Sequence, residues 1–146
     1  MKKIISIASD HAGFYLKEKI KTFFKENAIE FYDFGAYSDE SIDYPDVAHL
    51  VGKSINDGKY EIGIVLCGSG NGVNMVVNKY KNVRSALCWN VEIAKLARKH
   101  NNANILAIPA RFIEKNQTIK IVEAFLNTDF EGGRHQIRVE KIHDLK

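Results

Sequence analysis

Short runs of β-branched and other apolar residues alternate along the chain with longer amphipathic stretches. The third run is almost continuously apolar, which is typical of a strand covered on both faces of a sheet. The second run alternates apolar and polar positions, which indicates a strand at a sheet edge. Five such runs predict five strands, at residues 4–8, 29–34, 62–67, 84–88 and 104–108.

The stretches between these runs have helical patterns. One stripe of apolar residues, spaced for a single helix face, consists of Leu16, Ile20, Phe23 and Phe24. Four lysines interrupt this stripe, fall mostly on other faces, and are interpreted as solvated: Lys17, Lys19, Lys21 and Lys25. A second stripe, which predicts a helix near the end of the chain, consists of Ile119, Val122, Phe125 and Leu126.

Helix ends are marked by particular residues. Pro45 suits the first turn of a helix, where its missing N–H costs nothing. Asn90 is a residue type that caps a helix start. After Gly132 and Gly133, a final segment places Arg134 and Arg138 four residues apart, as on one face of a C-terminal helix.

Strand and helix alternate five times, which predicts right-handed βαβ units and a parallel sheet with helices on both faces. The expected architecture is a three-layer αβα fold with five parallel strands and a C-terminal helix. In such sheets, ligands bind beyond the carboxyl ends of the strands. Functional residues are therefore expected in the segments that follow Ile7, Phe34, Leu66 and Ile108.

Composition excludes several classes of protein. The chain has 146 residues and a mass of 16.5 kDa, so we expect one domain over residues 1–146. A net charge of +3 argues against a nucleic-acid or membrane-surface partner. No apolar run approaches 18 residues and no signal-peptide core follows Met1, so no membrane span or export is expected. Two cysteines, Cys67 and Cys88, are too few for a disulfide scaffold and fit the cytoplasm.

The most informative segment has glycines at alternate positions after the third strand, at Gly68, Gly70 and Gly72. Glycines let backbone N–H groups turn inward, and those groups with a helix start form an anion site. A tight turn without a ligand is the plainer alternative. Val73 stands where a dinucleotide loop needs glycine and where a cysteine phosphatase needs arginine. Gly72 is followed by Val73 and Asn74, not by the Lys-Ser/Thr pair that ends a Walker loop.

Several side chains near the predicted strand and helix ends could do chemistry. Cys67 precedes the glycine loop, whose N–H donors would favour a thiolate, although a buried strand cysteine is also an ordinary core residue. Cys88 lacks such a loop and is predicted to be core. Asp10 can cap a helix, and His11 beside it can donate to a phosphate. His100 is either functional or simply favoured by the negative end of its helix.

The motifs together resemble one family. They are Ser9-Asp10-His11-Ala12-Gly13, Asp43-Tyr44-Pro45, Cys67-Gly68-Ser69-Gly70-Asn71-Gly72, Arg98-Lys99-His100-Asn101-Asn102-Ala103-Asn104 and Glu131-Gly132-Gly133-Arg134-His135. In this order, over nearly the whole chain, they are similar to the type B ribose-5-phosphate isomerases and the related galactose-6-phosphate isomerase subunits. The resemblance implies a Rossmann-like fold and an aldose–ketose isomerase of the pentose phosphate pathway.

The resemblance also implies roles for individual residues. Cys67 matches the family's base, His100 its ring-opening histidine, and Gly68 to Gly72 its oxyanion loop, in which Ser69 retains a hydroxyl. The remaining matches are substrate contacts at Asp10, His11, Tyr44, Asn71, Asn101, Arg111, Arg134 and Arg138. No cofactor and no metal is implied, and the family forms homodimers or homotetramers with sites shared between subunits. Pro109, where glycine is usual, leaves the placement of Arg111 open.

Three other functions remain open at this point. A hexose 6-phosphate, as in galactose- or allose-6-phosphate isomerases, could replace the pentose. A non-catalytic phosphate-binding module would need the glycines but neither Cys67 nor His100. A redox-sensing thiol protein would need Cys67 alone.

Overall fold

The computed structural model describes residues 3–144. Five parallel strands form one sheet: β1 (Ile5–Ser9), β2 (Phe31–Asp33), β3 (Ile62–Cys67), β4 (Ser85–Leu87) and β5 (Ile105–Pro109). Their spatial order is β2-β1-β3-β5-β4. The long central strands β3 and β5 pair from Gly63 with Ile105 to Cys67 with Pro109. The predicted parallel sheet is thus confirmed, with the second predicted strand at one edge.

Six α-helices flank the sheet: α1 (Phe14–Glu26), α2 (Tyr44–Asn56), α3 (Asn71–Val77), α4 (Val91–Asn101), α5 (Lys115–Asn127) and α6 (Arg134–Glu140). Helices α1, α4 and α5 bury apolar side chains against one face of the sheet. Helices α2 and α3 cover the other face, and α6 packs on α4. The three-layer αβα architecture is therefore as predicted. Within residues 3–144, no helix has the length and apolar character needed to cross a membrane.

Local sequence accounts for where the helices begin. Pro45 lies in the first turn of α2, and the side chain of Asn90 accepts the N–H of Ile93 at 2.8 Å at the start of α4. Because β-strands and helices alternate, each of α2, α3 and α4 starts at the carboxyl edge of the sheet, where strands end, and runs back to the amino edge, where strands begin.

One lysine contradicts the interpretation that the α1 lysines are solvated. Lys19 and Lys25 are exposed, but the Lys17 side chain is completely buried. Its ammonium group contacts Asp33 at 2.7 Å and the carbonyl oxygen of Ala36 at 2.5 Å. Lys21 reaches the second oxygen of the same carboxylate at 2.8 Å. A buried charge needs such partners, so this end of α1 is tied to the chain that leaves β2.

The pKa values of this ion pair follow from burial and contact together. Burial lowers the pKa of Lys17, although Asp33 opposes the shift. Burial would raise the pKa of Asp33, but hydrogen bonds from Lys17, Lys21 and the Gly35 N–H hold it below its ordinary value. Asp33 is therefore ionised at neutral pH and fixes the turn after β2.

Candidate active site

The loop between β3 and α3 places Cys67 at the carboxyl edge of the sheet. Cys67 is the last residue of β3 and is 6% exposed. Gly70 has φ +76, and a Cβ there would lie 2.5 Å from Leu87 Cδ1 and 3.1 Å from the carbonyl carbon of Ile108. Only glycine fits both the conformation and the space. The backbone of this loop is therefore pressed against the ends of β4 and β5.

Two further side chains border the same loop. A Cβ on Gly72 would lie 2.5 Å from the ring of Tyr44, so the tyrosine packs directly on the backbone at the start of α3. Gly68 is in similar contact with Arg111, whose Nη1 would lie 3.2 Å from a Cβ there. The N–H of Arg111 also donates to the Gly68 carbonyl at 3.0 Å. Pro109 therefore does not displace Arg111 from the loop: it pairs with Cys67, and the arginine follows at the loop's edge.

Polar groups of the loop itself are close to the helix start. Ser69 is exposed, and its hydroxyl oxygen accepts the N–H of Asn71 at 3.3 Å. Asn71 is the first residue of α3 and is exposed as well. The loop thus offers a hydroxyl and an amide to solvent beside the nearly buried thiol of Cys67.

The end of β1 lies next to this loop because β1 and β3 are paired neighbours. One carboxylate oxygen of Asp10 accepts the N–H groups of Ala12 and Gly13 at 3.0 and 3.2 Å, so the residue caps the single 3-10 turn that precedes α1. Nδ1 of His11 accepts the N–H of Ile42 at 3.2 Å. A neutral His11 then carries its proton on Nε2, which is available to donate to an anion.

Cys88 differs from Cys67 in its surroundings, because no glycine loop follows it. It is completely buried, and burial raises the pKa of its thiol to about 12. Its nearest polar partner is the carbonyl oxygen of Ala86, at 3.6 Å. The prediction that Cys88 is a core residue is confirmed, although it directly follows β4.

His100 and Asn101 lie at the other edge of the sheet. They end α4, which begins beyond β4 and has 11 residues, a length of about 16 Å. Just after them, the carbonyl oxygen of Asn102 accepts a hydrogen bond from Arg84 Nε at 3.0 Å, at the point where β4 and β5 begin. Cys67 and His100 of one chain are therefore not brought together.

A second histidine, His135, with no role predicted from the sequence, lies against His100. The rings of His100 and His135 stack with centroids 4.2 Å apart and planes inclined by 13°. Nε2 of His100 and Nε2 of His135 lie 3.6 and 3.7 Å from the same oxygen of Glu131. The pKa of His135 is lowered, mainly by burial and to a lesser extent by the nearby charges of His100 and Arg134. Glu131 and His135 are four residues apart, which is the only sequence signal for this cluster.

Arg134 and Arg138 lie one helical turn apart on α6, as predicted, and both are exposed. Arg134 adjoins His135 in the chain, so the arginines belong with the His100 group rather than with the glycine loop. Of the predicted site residues, the carboxyl edge therefore brings together Asp10, His11, Tyr44, Cys67, Gly68, Ser69, Gly70, Asn71, Gly72 and Arg111. The other group holds His100, Asn101, Arg134 and Arg138.

Known proteins of one family are similar to this chain over nearly its whole length. The family model for ribose/galactose isomerases matches residues 5–142. A probable ribose-5-phosphate isomerase B of Mycoplasma genitalium is 45% identical over 94% of this chain and 92% of its own. Ribose-5-phosphate isomerase B of Escherichia coli is 39% identical over 97% of this chain and 95% of its own.

Solved structures agree with these relatives. The ribose 5-phosphate isomerase of Thermotoga maritima has a TM-score of 0.96 and 48% identity, and covers 99% of this chain and 100% of its own. Ribose-5-phosphate isomerase B of Mycoplasma genitalium, solved with bound ribulose 5-phosphate, has a TM-score of 0.92 and 44% identity, and covers 97% of this chain and 95% of its own. The similarity thus extends over both groups of site residues.

Proposed function

The chain belongs to the ribose/galactose isomerase family, and from this premise we propose that it interconverts ribose 5-phosphate and ribulose 5-phosphate. The observation that carries this function is the 44% identical relative solved with ribulose 5-phosphate bound, because the likeness covers 97% of this chain. Relatives of the same name match nearly full length on both sides. The reaction places the chain among intramolecular oxidoreductases, in pentose phosphate metabolism.

We propose Cys67 as the base. Isomerisation requires a group that removes the proton from C2 of the aldose, leaving an enediolate, and returns a proton to C1. A thiolate can accept this proton, and we expect N–H groups of the adjacent glycine loop to stabilise its charge. The position of Cys67 at the end of β3, where the glycine loop begins, supports this role.

The glycine loop is proposed to hold the negative charge that develops on the sugar oxygens. We expect N–H groups from Gly68 to Gly72 and the Ser69 hydroxyl to donate to the substrate, and a well-placed donor of this kind contributes about 3 kcal/mol. Tyr44 packs on Gly72 of this loop, and Asp10 follows the neighbouring strand β1. Ser69 and Asn71 are exposed beside Cys67, which supports their contact with substrate.

The phosphate of the substrate does not react, and it serves to fix the sugar in place. His11 supports this role because its Nε2 is free to donate while Nδ1 is occupied by Ile42. Arg111 is exposed beside the loop and adds a guanidinium that suits a dianionic phosphate. Arg134 and Arg138 are proposed to complete this anion site from another copy of the chain.

A complete site is proposed to form between two copies, with His100 and Asn101 of one copy facing Cys67 of the other. His100 would then open the sugar ring by moving the ring proton near neutral pH. Exposed apolar side chains occur in both groups, at Trp89 and Phe112 near the carboxyl edge and at Ile137 on α6. A two-fold axis brings each group against the other, giving two equal sites, so we propose a homodimer or a dimer of such dimers.

The family's name also includes galactose isomerases, so a hexose 6-phosphate is the second candidate substrate. A coupled assay of the purified chain compares ribose 5-phosphate with galactose 6-phosphate and allose 6-phosphate. We expect the highest kcat/KM for the pentose. A higher value for either hexose would replace the substrate and keep the reaction. No turnover of any sugar phosphate, despite binding, would favour a phosphate-binding module instead.

The base is tested in the same assay with two matched variants. Cys67→Ala is expected to abolish turnover while ribose 5-phosphate still binds, because the phosphate contacts remain. Cys88→Ala is the control, since Cys88 lies in the core and is expected to leave kcat intact. Near-normal turnover in Cys67→Ala would end its assignment as base. A thiol base needs a reducing compartment, and we propose the cytoplasm.

A further inference from the structure

Glu131, His100 and His135 form a cluster whose geometry is not that of a hydrogen-bonded network. One oxygen of Glu131 lies 3.6 Å from Nε2 of His100 and 3.7 Å from Nε2 of His135. Both distances are too long for a hydrogen bond. One oxygen or nitrogen atom from each of the three side chains lies within 4.8 Å of the other two. The cluster therefore holds three side chains that can bind a metal ion through close donor atoms.

These distances suit ligands of a common metal ion. Zinc binds histidine nitrogen and carboxylate oxygen at 2.0–2.2 Å, so two ligands of a tetrahedral zinc ion lie about 3.4 Å apart. Two imidazoles and one carboxylate also select zinc and similar transition metals over magnesium or calcium, which prefer oxygen. We propose that His100, Glu131 and His135 form a binding site for a divalent transition-metal ion such as Zn²⁺.

The surroundings of the cluster allow such an ion to enter. The side chains of His100 and Glu131 are 39% and 50% exposed, while that of His135 is 10% exposed and held in place. Because a metal lies in the plane of each imidazole that binds it, the two rings, whose planes are inclined by 13°, must turn out of their stack as the ion enters. A fourth position stays free for water or an oxygen of a ligand.

Occupancy of this site is inhibitory, and this part of the inference rests on the proposed function. A metal ion on Nε2 of His100 takes the lone pair that ring opening requires. The ion is thus not a cofactor of the reaction: it competes with the proton that His100 moves. The enzyme is then sensitive to free zinc, and a chelator restores its activity.

Calorimetric titration of the full-length, reduced protein with ZnCl₂ tests the site itself. We expect one ion per chain, and a loss of at least about tenfold in affinity in His135→Gln and in Glu131→Gln, since even outer residues of metal sites change affinity by this factor. Glu131 is exposed, so its variant keeps the fold. The control is His49→Gln, because His49 is an exposed histidine whose Nδ1 pairs with Tyr80 at 2.8 Å. It should bind zinc like the wild type.

The thiol of Cys67 could also bind zinc, so Cys67→Ala separates such binding from that of the cluster. Retained binding in Cys67→Ala together with weakened binding in His135→Gln and Glu131→Gln supports the proposal. The opposite pattern, or unchanged binding in both cluster variants, overturns it. Turnover of ribose 5-phosphate with added ZnCl₂, followed by EDTA, tests inhibition. If the chain has no isomerase activity, the titration still decides the metal site, so the two proposals fail separately.

Discussion

The two edges of the sheet hold very different groups of candidate residues. At the carboxyl edge, Cys67 and Asp10 are almost completely buried and the loop around Gly70 has no space for even a methyl group. At the other edge, His100 ends a helix, and Arg134 and Arg138 are exposed on a helix of 7 residues. The first group is preformed by the strand ends. The second is presented outward, as expected of residues that complete a site elsewhere.

The path of the chain explains this separation. A parallel sheet requires each connection to return from the carboxyl edge to the amino edge, and α4 is that connection between β4 and β5. Residues at the end of α4 therefore cannot reach the loop after β3 in the same copy. In the two-fold dimer that we propose, one copy's exposed group would face the other's preformed group. Three predictions test whether the two groups act together across copies. A fourth compares one ion pair from each edge of the sheet.

The largest effect is expected on mixing two inactive variants. Cys67→Ala removes the proposed base, and His100→Asn removes the proposed ring-opening group, so each alone should lose at least about a hundredfold in kcat/KM. In a dimer of one copy of each, one site has both residues intact. Unfolding and refolding the variants together should therefore recover about a quarter of wild-type activity, since half of the dimers are mixed and each has one working site.

Refolding each variant alone is the control, and it should give no recovery. If the mixture also stays inactive while mixed dimers are shown by mass spectrometry of tagged chains, the two residues do not act across copies. The loss of activity in His100→Asn would then come from something other than a place in the partner copy's site.

The second effect concerns only the outward group. His100→Asn should lose about a hundredfold in kcat/KM with ribose 5-phosphate, because general acid–base catalysis contributes about that factor. With 4-deoxyribose 5-phosphate, which lacks the hydroxyl that closes the furanose ring, the loss should be less than about tenfold. Both rates are measured relative to the wild type. Equal losses with the two sugars would contradict ring opening.

A third, smaller effect separates phosphate binding from chemistry. Arg134→Ala and Arg138→Ala should each raise KM by about 10- to 100-fold, because a charged hydrogen bond contributes about 1.5–3 kcal/mol. Initial-rate kinetics over a range of ribose 5-phosphate concentrations give KM and kcat separately. Lys120→Ala, an exposed cation on α5, is the control and should leave KM unchanged. Unchanged KM in both arginine variants would place the phosphate at His11 and Arg111 alone.

Much of the fold followed from the sequence because its signals are local. The apolar run of β3, Pro45 in α2 and the Asn90 cap each depend on neighbours within a few residues. The second strand was predicted at residues 29–34 but spans only Phe31–Asp33, because an edge strand has one partner and β1 pairs with three of its residues. Element boundaries at a sheet edge are thus set by the partner strand rather than by the run itself.

The candidate site was less accessible to sequence reasoning. Residue types came from the motifs, but no pattern shows that Cys67 and His100 lie at opposite edges: that depends on the direction of α4. His135 stacks on His100 across 35 positions of the chain, with no local signal. Lys17 was misinterpreted because its partner, Asp33, is 16 residues away and becomes its neighbour only when α1 packs on the sheet.

The last prediction compares the stability contributions of two ion pairs, one from each edge. Asp33→Asn leaves Lys17 buried without a carboxylate and should lower the free energy of unfolding by about 3 kcal/mol, measured by urea denaturation. Asp57→Asn breaks the pair with Lys53 at the amino edge, which has the same 2.7 Å separation but lies in solvent, and should change stability little.

Because the pKa of Asp33 lies below its ordinary value of about 4, its contribution is present above that pH and is lost as the pH falls through the lowered pKa. The difference between wild type and Asp33→Asn should therefore shrink in acid. Two outcomes would show that burial at the carboxyl edge does not distinguish the two pairs. One is a difference in unfolding free energy that stays the same down to the pH of acid unfolding. The other is an Asp57→Asn variant that is as unstable as Asp33→Asn.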